Sequence, residues 1–320
     1  MRERPCHMTS SDLYDIVIIG AGPAGLAAGL YANRARYNTL VLEKVGVGGQ
    51  LLSYEKVDNY PGFPEGVSSF ELVELFKAQA EKFGMQHKNA DVTGLETDGP
   101  IHVIHTSEGD MRAKAVLVAS GCTPRKLGVK GEAEFTGRGV SYCAICDGPF
   151  YRNAEVAVVG GGDTAVEEAI YLTKFASRVH LIHRRDELRA VKILQEEAFQ
   201  NDKITIHWNT VVEEIRGGDQ GVSELALLDV VTRETSSLPV PGVFVFVGLL
   251  PNADFVPQQV ERDPQGFLVT DDAMVTAVPG IFAAGDVRSK SLRQIVTAVG
   301  DGATAAFNAG RHVESLSHAG

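Results

Sequence analysis

The chain has 320 residues, 44% hydrophobic and 22% charged, the balance of a globular protein long enough for two domains with separate cores. Its net charge of −11 argues against nucleic acid or an anionic membrane as partner and serves solubility. Met1 to Met8 contain no apolar h-region, and the longest apolar run, Val243 to Leu250, reads as one strand too short to span a bilayer. A cytoplasmic protein is expected.

In chain order, Tyr14–Gly20 reads as an apolar strand, Pro23–Arg36 as a helix and Asn38–Leu42 as a second strand. The same order recurs 140 residues later: a strand at Glu155–Gly160, a helix from about Thr164 to Phe175, and a strand at Arg178–Ile182. Strand, glycine turn, helix and strand make the βαβ unit of a doubly wound sheet. Gly217–Gly221 is the clearest loop tip. Near the end, Pro279–Asp286 is a strand closing on Gly-Asp, and Gln294–Ala309 is helix-like. The predicted fold is α/β, with two Rossmann-like dinucleotide-binding domains, the second inserted into the first. Residues 1–124 and 250–320 would form one domain and 125–249 the other.

Each turn has the chemistry of a phosphate cradle. Gly20 and Gly160 permit the tight turn, while Gly22 and Gly162 let backbone approach a pyrophosphate. Gly25 and Ala165 keep the helix close to the strand, and the helix start offers unpaired N–H groups. The residue 23 positions after the first glycine separates the two sites. Glu43 can accept bonds from ribose hydroxyls and repels a 2′-phosphate, which selects FAD or NAD. The second module carries His183-Arg184-Arg185 and then Arg189 instead, cationic donors suited to the 2′-phosphate of NADPH.

Four cysteines in a chain of this size are no disulfide framework. Cys143-Ala-Ile-Cys146 is a redox dithiol spacing, whereas structural zinc would need a second close pair that Cys6 and Cys122 do not make. Cys6 and Cys122 are expected to be inert, and no metal is expected. The dithiol lies 14 residues before the second glycine turn, so electrons could pass from nucleotide to nucleotide to disulfide. Asp147 suits either an acid/base that protonates a leaving thiolate or an ordinary helix-opening Asp.

With these motifs in this order the chain resembles the low-molecular-weight thioredoxin reductases over about Leu13 to Val313. Gly48–Leu51, Asp58–Gly62, Ala119-Ser120-Gly121, Gly285-Asp286 and Arg293-Gln294-Ile295 extend the match. Ile145 stands where Thr is usual, Tyr142 is large for its position, and Ser120 replaces Thr. The resemblance implies a homodimeric NADPH-dependent flavoprotein that reduces thioredoxin, with Cys146 facing the flavin and Cys143 attacking the partner. It implies Asp286 at the ribityl chain, Gln50 and Asn59 near the isoalloxazine, Val92 near the adenine, and Gln294 and Ile295 N–H groups at the pyrimidine end. Pro23, Ala24, Lys44, Gly49, Leu51, Ala119, Gly121, Gly285 and Arg293 would complete the FAD site. Asp163, Thr164 and Gly248 would join the NADPH site. The resemblance also implies rotation of one domain against the other, with hinges near residues 122–128 and 247–252. Ferredoxin as donor or a peroxidase-linked acceptor are the alternatives within this fold, and a flavin-bound redox sensor is the alternative of another class.

Overall fold

A computed structural model describes residues 13–53, 56, 57 and 59–318 of the chain. The first strand, β1 (Leu13–Ile19), buries Ile16 to Ile19 on both faces, as a parallel strand covered by two layers requires. Successive side chains part company there: Ile16 and Ile18 join one core cluster, Val17 and Ile19 the other. The first helix, α1 (Pro23–Arg34), starts on a proline whose fixed φ and missing N–H suit a first turn. It stops two residues before Arg36, because Arg36 takes a left-handed φ of 68°.

The chain continues through β2 (Thr39–Glu43), the short strands β3 (Lys56–Val57) and β4 (Val67–Ser68), and α2 (Ser69–Glu81). Four strands follow: β5 (Gln86–Asn89), β6 (Val92–Asp98), β7 (Ile101–Thr106) and β8 (Met111–Val118). β5, β2, β1 and β8 run parallel in that spatial order, and β7 and β6 extend the sheet antiparallel. A short strand, β9 (Cys122–Pro124), leads out of this unit.

The inserted segment opens with α3 (Glu132–Phe135), β10 (Val140–Ser141) and α4 (Ala144–Asp147). Its nucleotide-type module is β11 (Glu155–Gly160), α5 (Asp163–Leu172) and β12 (Arg178–Ile182), followed by α6 (Lys192–Gln200) and β13 (Ile204–His207). α5 ends at Leu172, not Phe175, because the N–H groups of Lys174 and Phe175 bond three residues back and tighten the last turn. β14 (Thr210–Gly218), β15 (Gly221–Asp229) and β16 (Thr235–Pro239) form an antiparallel sheet, with the expected glycine-rich tip joining β14 to β15. β17 (Val243–Phe246) completes the parallel order β10-β17-β11-β12-β13.

The apolar run from Val243 is not one strand. Gly248 adopts φ 119°, and β18 (Leu249–Pro251) begins a new strand beyond it, paired with β9. The return segment adds β19 (Ile281–Ala283) parallel to β8, then α7 (Ile295–His318), longer than expected because Val313 is buried beyond Ala309. α7 lies against α1 through small residues. A Cβ at Gly302 would sit 2.1 Å from the Ala24 carbonyl oxygen. Contacts divide the chain into one unit built from both ends and a second, Pro124–Leu249.

Candidate active site

In the unit made by the chain ends, the glycine turn lies between β1 and α1. Gly20 donates to the Leu42 carbonyl at 2.8 Å and has φ 105°. A Cβ there would lie 2.4 Å from the Ala119 oxygen, and one at Gly25 would lie 1.8 Å from the Gly20 oxygen, so both positions are closed to side chains. Gly22 is open, its nearest prospective contact being the Gly48 oxygen at 4.0 Å. No side chain caps α1, which leaves its first N–H groups, beginning beside Pro23 and Ala24, to an anion.

Glu43 is anchored to that turn. Its Oε2 accepts the Ala21 N–H at 2.7 Å, and Oε1 accepts those of Lys44 and Val45 at 2.9 and 3.2 Å. A carboxylate has room for further donors, so ribose hydroxyls can still be received. The Ala90 N–H bonds the Glu43 carbonyl and Lys44 pairs with Asp91 at 2.8 Å, which brings Val92 beside the end of β2.

In the return segment of the same unit, Asp286 is the clearest sign of a missing polar partner. Its Oδ1 is buried and has no hydrogen-bond partner among the described residues. Burial raises its pKa, against the pull of Lys290 and Arg293. A buried carboxyl without a donor is costly, and the hydroxyls of a ribityl chain would supply one. The site therefore fits FAD. Gln50 donates to the Cys122 carbonyl, and Asn59 donates to the Gln294 side chain at 3.0 Å. Leu51 is buried in the short turn Gly49–Ser53. Gln294 and Ile295 stand at the positive end of the 24-residue α7, with the Gln294 N–H bonded to the Thr297 hydroxyl at 3.2 Å.

Arg293 lies against the same turn as Asp286. Its guanidinium donates to the Asp286 and Arg288 carbonyls and lies 3.8 Å from the centre of the Phe267 ring, so it braces the Gly285–Val287 turn. Cys122 is buried and free, and burial pushes its thiol up to about 12, which keeps it inert.

In the inserted unit the second turn repeats the first. A Cβ at Gly160 would meet the Phe246 oxygen at 2.4 Å and the Ala165 Cβ at 2.5 Å, while Gly162 faces open space. α5 also has no side-chain cap. The basic loop after β12 is tied to this turn: Arg189 N–H bonds the Gly161 oxygen at 2.7 Å, and Val191 N–H bonds Asp163 Oδ1 at 2.7 Å. Thr164, Arg184, Arg185 and Arg189 are exposed. His183 differs from those exposed arginines in its burial. Its ring is buried under Gly161, with Nδ1 3.0 Å from the Gly160 oxygen, and burial lowers its pKa. The ring lies beneath the turn, and its Nε2 is buried without a hydrogen-bond partner among the described residues.

Cys143 immediately precedes the one-turn α4 and is disulfide-bonded. The Cys146 side chain lies outside the described residues, as does Cys6. The Asp147 N–H bonds the Cys143 carbonyl at 3.2 Å. Burial, and then the Asp147 charge, raise the Tyr151 pKa. Ala144 packs with Ala165, Ala169 and Leu172, so the dithiol segment rests on α5, the helix that opens at the nucleotide turn.

Two glycine turns of distinct charge and a bonded cysteine at the head of a helix can be set beside the known proteins this chain is similar to. The family described as pyridine nucleotide-disulphide oxidoreductase matches residues 14–302. A thioredoxin reductase of Bacillus subtilis is 46% identical over 309 residues, covering 97% of this chain and 98% of that protein. One from Peptoclostridium acidaminophilum is 47% identical over 311 residues, covering 95% and 98%. The chain belongs to the thioredoxin reductases. The crystal structure of Lactococcus lactis thioredoxin reductase in its FR conformation superposes with a TM-score of 0.88 at 45% identity, over 94% of this chain and 99% of that one.

Beside these family motifs stand residues that motif reading misses. Asp301, inside α7, accepts the Gly285 N–H at 3.1 Å and pairs with Arg288 and Lys290, each at 2.9 Å, so it fixes the turn that presents Asp286. Its only sequence signal is an acid flanked by glycines within a helical stretch. Asn252 bonds the Ser120 carbonyl at 3.0 Å and receives the Thr123 hydroxyl at 2.8 Å, holding Gly121 and the start of β9 in place. Nothing in its sequence context marks it.

Proposed function

We infer that the chain is an NADPH-dependent flavoprotein enzyme that reduces the disulfide of thioredoxin through the Cys143–Cys146 pair. The observation that carries this reading is Cys143, disulfide-bonded at the head of a helix that packs on the second nucleotide turn. FAD, when bound, supplies a two-electron acceptor and donor between the nicotinamide and the disulfide.

The chain's own residues bind, orient and move protons. Gly20, Gly22, Gly25 and the start of α1 hold the FAD pyrophosphate, Glu43 its ribose, and Asp286 its ribityl hydroxyls. Gly160, Gly162, Asp163 and Thr164 form the second cradle, and Arg184, Arg185 and Arg189 take the 2′-phosphate of NADPH. The α4 dipole favours a thiolate at Cys143, which attacks the thioredoxin disulfide and forms a mixed disulfide. Cys146 then attacks Cys143, releases the reduced partner and restores the internal disulfide, while Asp147 delivers a proton to the departing sulfur.

Gly128 and Gly248 support the reading of the two connections as hinges, since both take left-handed backbone. Phe70 and Leu75 of α2 and Val296 and Phe307 of α7 are exposed apolar side chains, which supports a homodimer formed by the unit of the chain ends. Sedimentation would test that state. No helix among the described residues is long and apolar enough to cross a membrane. We place the enzyme in the cytoplasm because a catalytic disulfide that cycles is the kind kept there.

The function is tested by following NADPH consumption with thioredoxin and a chromogenic disulfide. Turnover that depends on thioredoxin and is far slower with NADH is expected. Turnover without thioredoxin, or none with NADPH, would reject the assignment.

A further inference from the structure

Between the first connection and the dithiol lies a buried carboxylate that neither nucleotide turn uses. Glu132 opens α3 and is only 2% exposed. Its Oε1 accepts the Leu127 N–H at 2.8 Å and its Oε2 the Gly128 N–H at 2.7 Å. Oε1 also accepts the Tyr142 hydroxyl at 2.7 Å. A carboxylate withdrawn from water needs such donors, and two successive N–H groups converging on one anion make a backbone nest. Gly128 enters it with φ 76°.

The loop that provides this nest is itself fixed. Ile215 N–H bonds the Lys130 oxygen at 2.9 Å, and a Cβ at Gly131 would lie 1.9 Å from the Ile215 oxygen. Burial, then the Glu132 bond and charge, raise the Tyr142 pKa, so the phenol stays protonated as the donor. The next residue is Cys143. Its N–H is held by the buried Ser141 hydroxyl at 3.1 Å. The backbone entering the dithiol is thus fixed by Ser141 on one side and by the Tyr142–Glu132 bond on the other.

We propose that Tyr142 and Glu132 are positioning residues for the dithiol, gathering the first residues of the inserted unit and the residue before Cys143 into one cluster that sets the attitude of the partner-facing sulfur. This rests on the reading of Cys143 as the thiol that attacks thioredoxin. Exchange at sulfur depends on which sulfur is presented and how, and small misplacements of a reacting group lower rates steeply.

Tyr142→Phe keeps the ring and removes one oxygen. In the holoenzyme two activities separate the roles. Thioredoxin-dependent turnover passes through the dithiol; NADPH-driven reduction of ferricyanide needs the nucleotide sites but not the cysteines. The variant should lose about ten-fold in kcat/KM for thioredoxin, with ferricyanide reduction and the KM for NADPH within about two-fold of wild type. Glu132→Gln, whose amide N–H groups would face the Leu127 or Gly128 N–H, should show the same split. Some loss of thermal stability accompanies either variant under any reading, so the split decides. Equal loss of both activities, or no loss of either, would overturn the proposal. A wild type that reduces ferricyanide but not thioredoxin would overturn both the proposal and the reading beneath it.

Discussion

At the scale of single residues, the proposed nucleotide choice rests on charge, and acid stability on burial. Arg184 and Arg185 are exposed beside a turn that the buried His183 ring supports. Each charge-assisted bond to phosphate contributes about 1.5–3 kcal/mol, so Arg184→Ala with Arg185→Ala should weaken NADPH by roughly 10²-fold or more while NADH changes little. Competitive binding of the two nucleotides measures this, and an unchanged preference would leave those arginines in solvent. His102 is 1% exposed, and burial, with the nearby His312, lowers its pKa to about 4. The folded state therefore binds this proton less readily than the unfolded chain. The stabilisation is present above the unfolded value near 6.5 and is lost as pH falls from there to 4, by on the order of 3 kcal/mol. Denaturant titrations at pH 7 and pH 4 check it, and His102→Asn should flatten the dependence.

At the scale of elements, close approach explains which positions tolerate no side chain. Gly302→Ala would press a methyl group on the Ala24 carbonyl, 2.1 Å away, and force α7 off α1. A loss of about 1–3 kcal/mol, read from the urea midpoint, is expected for overpacking of this kind. That glycine was invisible in sequence, where it sits in an ordinary helical stretch, whereas Gly20 and Gly160 announced themselves by following apolar strands and opening helices. The same contrast runs through the site. The placement of Glu43 and of the arginine loop is legible because strand length fixes where a second strand ends. Asp301, Asn252 and Glu132 are not, since each acts through a loop closed by long-range folding. The burial of His183 is not legible, because position at a strand end does not say which way a ring turns. The break at Gly248 runs against the reading of one strand from Val243 to Leu250, because a glycine inside an apolar run fits either a strand or a turn.

At the scale of the whole molecule, two modules of one architecture are made different by a few side chains, and the inserted one carries the thiols. Electrons must leave through one sulfur, and the roles of the two cysteines define the enzyme. Cys146→Ser leaves Cys143 able to attack a partner but removes the thiol that would release it. Loaded with thioredoxin activated as a mixed disulfide, this variant should accumulate a covalent complex, seen by intact mass and mapped to Cys143, while Cys143→Ser should form none. A complex trapped through Cys146, or none in either variant, would contradict the account.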